Sequence, residues 1–279
     1  MVTSDLMTCQ AKQPIGVFDA GPGGLAVVKY MMELLPGEDL LYLGDTARQP
    51  YGPQPTEKVR NNTIECCTWM EKQGVKAILI GCNTASVAAL EAVREEIRDI
   101  PVLGMIEPGV RASLRELDSQ RIGVWGTELT VNAHAYRKKL EQFRPGVQVI
   151  ESVPVTLLRL AEKGKIQDKA RIKALINEYL RPFEGFQMDS LIFGCTDLTC
   201  MRQETAEAIG ERVKIIDPAE EIVMEIKDWL STHKCLNQQL PSQRTYRICI
   251  TGNDTKNFST FTSEFLGIES NSVEQVDIN

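Results

Sequence analysis

AILIGCNTAS (Ala77–Ser86) and SLIFGCTDLT (Ser190–Thr199) share one plan. An apolar run of strand length leads to a glycine and a cysteine, a threonine follows within two residues, and then comes a probable helix. IGVFDAG (Ile15–Gly21) and IGVWGTE (Ile122–Glu128) form a weaker second echo, one ahead of each cysteine motif. The interval from Asp19 to Cys82 is close to that from Thr127 to Cys195. Two half-chains of related design are therefore expected, residues 12–100 with 215–279 and residues 101–214, with residues 1–11 as a loosely held tail.

Outward from these motifs, short apolar runs alternate with longer helical patterns, the signature of an α/β protein with mostly parallel strands. The strands expected are Ile15–Phe18, Leu40–Leu43, Ala77–Ile80, Val102–Met105, Arg121–Trp125, Val147–Ser152, Ser190–Phe193, Lys214–Ile216 and Tyr246–Ile250. The clearest helices are Gly24–Leu35, Thr56–Gln73, Ala85–Arg98, Val131–Phe143, Lys169–Leu180 and Ala219–Thr232. Gln49–Pro55 reads as a loop.

The 279 residues are 43% hydrophobic and 25% charged, enough apolar material for two modest cores. A net charge of −7 without a Lys/Arg cluster argues against a nucleic-acid or acidic-membrane partner. An anionic ligand would have to be held by backbone N–H groups, hydroxyls and amides. The start of the chain lacks the basic and apolar regions of a signal peptide, and no apolar run approaches the roughly 18–20 residues of a spanning helix. A cytoplasmic protein with reduced thiols is expected.

Of the eight cysteines, Cys66, Cys67, Cys235 and Cys249 read as small core hydrophobes and Cys9 as part of the tail. Cys200 lies about one helical turn past Cys195 and is compatible with simple packing. Cys82 and Cys195 differ in sitting at the carboxyl ends of strands, where open α/β sheets gather ligands. Free N–H groups at a following helix would lower a thiol's pKa there. Asn83, Thr84 and Thr196 add donors suited to a carboxylate. If the two lobes face each other, so do the thiols. One thiolate would remove an α-proton while the other thiol delivers a proton to the opposite face. No pyridoxal-phosphate lysine motif or other cofactor signature is present. FDAGPGG (Phe18–Gly24) is neither of the usual phosphate-loop patterns, and a tight turn bringing Asp19 to the site is the better reading. His134 and His233 fall in expected helices far from both motifs and read as structural, so no metal site is expected.

At these residues the sequence resembles the glutamate racemase family. The likeness runs through IGVFDAGPGGLAV (Ile15–Val27), GDTARQPYG (Gly44–Gly52), GCNTAS (Gly81–Ser86), GMIEPG (Gly104–Gly109), IGVWGTELTV (Ile122–Val131), FGCT (Phe193–Thr196) and TGNDTKNF (Thr251–Phe258), in order and spacing. The resemblance implies two pseudo-symmetric α/β lobes, an active site in the cleft between them, and a homodimer. It implies Cys82 as acid/base for one enantiomer and Cys195 for the other, with Asp19 assisting Cys82. Ala20, Tyr51, Gly52, Asn83, Thr84 and Thr196 would contact substrate, and Asp45 would be a supporting carboxylate nearby.

Two positions depart from the family pattern. Ala20 stands where the family has serine, and Asp197 stands where it has the histidine that assists the second cysteine. The related aspartate racemases carry a glutamate at that point. A carboxylate beside a forming thiolate is a like charge and raises the thiol pKa, so Cys195 is expected to rest protonated, with Asp197 as its partner; the plainer role for Asp197 is a cap on the following helix. Glutamate racemisation supplying D-glutamate for peptidoglycan is the leading reading. An aspartate or dual-specificity racemase, another thiol enzyme acting on small diacids, and a binding homologue without catalysis remain alternatives.

Overall fold

The computed structural model describes residues 10–115, 120–268 and 273–278; Cys9 and most of the expected tail lie outside them. The first sheet contains β1 (Ile15–Asp19), β2 (Leu40–Gly44), β3 (Ala77–Ile80), β4 (Val102–Gly104), β9 (Tyr246–Ile250) and β10 (Glu274–Gln275), in the order β10-β9-β2-β1-β3-β4. The second contains β5 (Arg121–Gly126), β6 (Gln148–Ser152), β7 (Ser190–Gly194) and β8 (Lys214–Ile216), in the order β6-β5-β7-β8. Every strand pairing is parallel. The sequence echo has a structural meaning: β2-β1-β3-β4 and β6-β5-β7-β8 have the same order, so each cysteine follows the strand beside its sheet's first one.

Parallel strands covered on both faces must be apolar at every position, and β1, β2, β3 and β7 are buried throughout. In the first sheet, Ile15, Val17, Tyr42 and Leu79 point to one core, against α1 (Leu25–Leu34), α10 (Pro218–Thr232) and α11 (Thr255–Leu266). Phe18, Leu41, Ile78 and Ile80 alternate to the other, against α2 (Thr56–Lys72) and α3 (Asn83–Glu96). The second sheet is sandwiched likewise. Trp125, Leu191 and Phe193 meet α7 (Val155–Glu162) and α8 (Lys169–Leu180), while Val124, Val149 and Ile192 meet α4 (Ile106–Arg115) and α6 (Ala135–Phe143).

Several expectations need correction. The half-chain boundaries at 100/101 and 214/215 each fall a few residues early. Val102–Gly104 completes the first sheet by pairing with β3, and Lys214–Ile216 pairs with β7 in the second. The chain then returns to the first lobe through α10, whose Ile222, Val223 and Ile226 join its core. The helix expected over Val131–Phe143 is two, α5 (Glu128–Asn132) and α6, because His134 between them adopts a left-handed conformation with φ 52°. His134 thus caps α6 and contacts Glu151 at 2.6 Å, and His233 caps α10. Helix α4 was hidden by Pro108 and Gly109, which lie in its first turn where the lost N–H costs little. Helices α7, α9 (Arg202–Ile209) and α11 are further additions. Cys235 is disulfide-bonded rather than a reduced core thiol, whereas Cys66, Cys67, Cys82, Cys195, Cys200 and Cys249 are free. Among the described residues, no helix is long and apolar enough to cross a membrane.

At the end of the first sheet away from the strand carboxyl termini, Lys76 and Glu38 form a fully buried ion pair of 2.6 Å. The Lys76 ammonium also donates to the carbonyls of Ala11 (2.7 Å) and Cys235 (2.9 Å), and Glu38 accepts from the Asn237 N–H (2.9 Å). Three distant segments are tied by one buried charge. Removing one partner of such a pair leaves the other uncompensated, a loss of about 3 kcal/mol or more. Lys76→Met is expected to lower the urea-unfolding free energy by that amount, and Lys76→Met/Glu38→Leu to recover about half; equal stability of Lys76→Met and the parent would contradict this.

Candidate active site

The carboxyl ends of β1, β3 and β7 converge on a cavity of about 30 Å³ between the sheets. Cys82 follows β3 after Gly81 and occupies the N-cap position of α3. Cys195 follows β7 but leads into a 3₁₀ turn, Thr196–Met201, before α9 begins. The two cysteine motifs thus share a strand and a bend, and only the first opens straight into an α-helix. Asp19 ends β1, and the loop after β2 carries Tyr51 and Gly52. Ten residues singled out from sequence line this cavity: Cys82, Cys195, Asp19 and Asp197, expected as reacting groups, and Ala20, Tyr51, Gly52, Asn83, Thr84 and Thr196, expected as contacts.

The titratable cluster of the first lobe is compact. The Cys82 thiol lies within electrostatic range of the Asp19 carboxylate, which accepts from the Ala20 N–H at 2.5 Å and from the Thr196 hydroxyl at 3.1 Å. In the second lobe, the Cys195 sulfur lies 3.4 Å from Asp197 Oδ2. Cys200 packs against the second lobe's core and donates to the Asp197 carbonyl at 2.9 Å. Burial pushes both thiols well above the ordinary cysteine value, and the neighbouring carboxylates, Asp19 for Cys82 and Asp197 for Cys195, push in the same direction. The expectation that helix N–H groups would lower the thiol pKa therefore fails: desolvation exceeds what the amides offset. Burial also raises the carboxyls. Asp19 is pushed up to about 6, with hydrogen bonds from Ala20 and Thr196 opposing. Asp197 is pushed up to about 8, with the charges of Asp19 and Glu162 adding to the shift.

Three side-chain hydrogen bonds close the cleft from lobe to lobe. They are Thr84 to Thr127 (2.8 Å), Thr196 to Asp19 (3.1 Å), and the Tyr136 hydroxyl donating to Asn83 Oδ1 (2.6 Å). The Leu129 N–H adds a backbone bond to the Gly52 carbonyl at 3.2 Å. Gly23, in the 3₁₀ turn after β1, meets the Cys195 loop so closely that a Cβ there would sit 2.7 Å from Thr196 Oγ1 and 2.8 Å from Asp197 Oδ1. Asp45 supports from behind. It is fully buried and accepts from Arg48 (2.7 Å), Thr251 (2.8 Å) and the Tyr51 hydroxyl, which fixes the loop bearing Tyr51 and Gly52.

The lining residues that were not expected at the site include Thr127, Gln49 and Glu162, beside Pro50 and the turn Gly21–Gly23. Thr127 follows β5 as Ala20 follows β1, so the second echo held its signal. Gln49 was assigned only to a loop, and Glu162 ends α7, a helix with no motif attached. Among the described residues, no group of three histidine, cysteine or carboxylate side chains could hold a metal ion.

The Asp/Glu/hydantoin racemase family's model matches residues 15–226, and the chain belongs to that family. The glutamate racemase of Oceanobacillus iheyensis is 39% identical over 225 residues, covering 80% of this chain and 81% of the relative. That of Streptococcus gordonii is 36% identical over 266 residues, covering 95% and 99%. Among solved structures, a glutamate racemase of Bacillus anthracis superposes with a TM-score of 0.90 at 32% identity, covering 96% of this chain and 98% of that one. One from Francisella tularensis, in complex with D-glutamate, gives 0.87 at 31%, covering 96% and 99%. The chain is an amino-acid racemase, an isomerase of the glutamate racemase kind.

With both thiols held protonated by burial, alkylation should be slow at neutral pH. Iodoacetamide labelling of Cys82 and Cys195, followed by peptide mass spectrometry, is expected to be at least tenfold slower at pH 8 than for a free cysteine and still rising above pH 9. A plateau below pH 8 at either residue would show that its thiolate is stabilised instead.

Proposed function

We propose that the chain interconverts L- and D-glutamate without a cofactor, by two-base proton transfer between Cys82, Cys195 and the substrate α-carbon. The supporting observation is the pairing of each thiol with its own carboxyl in one shared cavity. The Asn83 Nδ2 group is buried there without a hydrogen-bond partner, a donor left for a substrate carboxylate, since an unmet buried donor is otherwise costly. Thr84 and Thr196 supply hydroxyls, and Tyr51 and Gly52 shape the far wall. Ala20 contributes its backbone N–H to Asp19 in place of a side-chain hydroxyl.

The carboxyls define the proton inventory. At pH 7 a group with a pKa of about 6 is mostly ionised and one of about 8 mostly protonated, so Asp19 is ready to take the Cys82 proton while Asp197 is not ready to take that of Cys195. Cys82 then rests poised as base and Cys195 as acid, and the reverse direction requires Asp197 to ionise first. The equilibrium between enantiomers cannot change, so kcat/KM stays equal in the two directions and the asymmetry falls on kcat and KM separately. The D-glutamate so formed would serve peptidoglycan synthesis in the cytoplasm, from a homodimer. Asp197 also keeps aspartate in view as a second substrate, because a carboxylate at this point is shared with the aspartate racemases.

Incubation of each enantiomer of glutamate and aspartate in heavy water tests the reaction. The α-hydrogen of glutamate is expected to exchange with inversion, and Cys82→Ser or Cys195→Ser to reduce racemisation by at least 10²-fold. Faster turnover of aspartate than glutamate would reassign the substrate, and no exchange with either would reduce the protein to a binder. For the carboxyls, kcat is expected to fall below about pH 6 from one enantiomer and below about pH 8 from the other, with Asp197→His removing the difference. Coincident kcat profiles, or an Asp197→His variant unchanged from both enantiomers, would deny Asp197 its part.

A further inference from the structure

The 30 Å³ cavity has room for roughly two water molecules, so an amino acid enters only if a wall moves. Two larger cavities abut it. One, of about 860 Å³, shares Pro22, Gln49 and Glu162 with it. The other, of about 130 Å³, shares Pro50, Gly52, Thr127 and Glu162 and is lined otherwise by Pro53, Val153, Val155 and Leu158, with Glu128 and Arg159 as its own charged groups. Their chemistry differs. The larger is walled by Thr46, Thr251, Asn253 and Asn257, and its charged groups are Lys163, Lys165, Glu162 and Asp254. Both lysines are exposed, and neither has an ion-pair partner among the described residues.

The partition between the large cavity and the site is lightly held. Gln49 lies with its amide oxygen over the Gly21 backbone, so close that a Cβ on Gly21 would sit 2.2 Å from it. Neither the Gln49 nor the half-buried Glu162 side chain makes a hydrogen bond among the described residues. By contrast, the walls toward the lobes' interior are pinned by the Thr84–Thr127 and Tyr136–Asn83 bonds.

We infer that the 860 Å³ cavity is a capture site for the anionic substrate, in which Lys163 and Lys165 draw the dicarboxylate inward and Gln49 and Glu162 form the partition it displaces. The inference rests on the proposed turnover of an acidic amino acid. A chain of net charge −7 whose site is lined by Asp19 and Glu162 repels such a substrate, and a local pair of ammonium groups offsets that repulsion where the cavity opens. Burial raises the Glu162 pKa, and the charges of Arg159 and then Lys163 oppose that rise, so Glu162 lies within the field of a cation of each neighbouring cavity.

The test is Lys163→Glu/Lys165→Glu in the full chain, against Lys138→Glu/Lys227→Glu, an equal charge change at exposed positions away from the cavity. Rates of alkylation of Cys82 and Cys195 by iodoacetate, an anion, and iodoacetamide, its neutral analogue, are measured at pH 9. The iodoacetate-to-iodoacetamide ratio is expected to fall about threefold to tenfold at low salt in the first variant only, and to return to the parent's value near 0.5 M salt. Racemase kcat/KM should fall in parallel with kcat unchanged. An unchanged ratio overturns the inference, as does a Val155→Trp variant that blocks alkylation by filling the smaller cavity. Because alkylation needs no turnover, loss of the ratio in a protein that racemises nothing would leave capture standing and remove the substrate reading instead.

Discussion

Desolvation of acids governs this molecule's chemistry. Two thiols and the carboxyls of Asp19 and Asp197 share a cavity of about 30 Å³, and no lysine, arginine or histidine is among the residues lining it. Water is too scarce there to solvate negative charge freely and no lining cation compensates it, so proton affinities rise: both thiols move well above their ordinary value and both carboxyls rise with them. The consequence for a two-base mechanism is specific. Neither cysteine can be a standing thiolate, so each must hand its proton to something, and the carboxyl in contact with it is the acceptor at hand. The carboxyls, not the thiols, have affinities near neutrality, and on the proposed mechanism they determine which thiol acts as base.

The architecture makes this clustering possible. All pairings run parallel, so every strand of a sheet ends on one side, and loops from non-neighbouring parts of the chain meet there. The two sheets present those ends to each other because α10 leaves β8 of the second sheet and packs into the first lobe's core. The Gly23 backbone can then touch the Cys195 loop at distances no side chain would allow. The pseudo-symmetry is one of strand order, not of detail. Cys82 begins a long α-helix and Cys195 a 3₁₀ turn, and Asp19 is held by an N–H and a hydroxyl while Asp197 contacts chiefly the sulfur it serves.

Much of the fold was legible because a buried parallel strand leaves a plain mark: a short apolar run closed by glycine. All nine expected strands formed, although β6 and β8 lack the closing glycine, and the two-residue β10 had no apolar run to announce it. Helices were less legible where a local signal contradicted the tertiary one. Pro108 and Gly109 disguised α4, and nothing in Val131–Phe143 announced the left-handed turn at His134. Within the site, residues adjacent to the cysteine motifs were visible in the sequence. Glu162 was not, since a helix-terminal glutamate carries no mark of where its helix ends in space. The pKa direction of the Cys82 thiol was misread for a similar reason, whereas the rise at Cys195 was legible from the adjacent Asp197. Helix N–H groups can be inferred from sequence, but the volume and dryness of a cavity cannot.

The bonds that close the cleft are made by the groups that would bind substrate. Thr84 spends its hydroxyl on Thr127, and Thr196 spends its own on Asp19. A ligand carboxylate entering the site would take over these donors, so the bonds that hold the lobes together are released as ligand contacts form. Only the difference between the two sets of contacts is then available as affinity. Asn83 is the exception, because its Oδ1 is held by Tyr136 while its Nδ2 lies buried and unmet. That donor gives up nothing to a ligand and regains a lost hydrogen bond, so its contribution favours the occupied site outright. On the proposed mechanism, a site with no cation can therefore still hold an anion: one donor is kept waiting, and the others are lent to the cleft until substrate arrives.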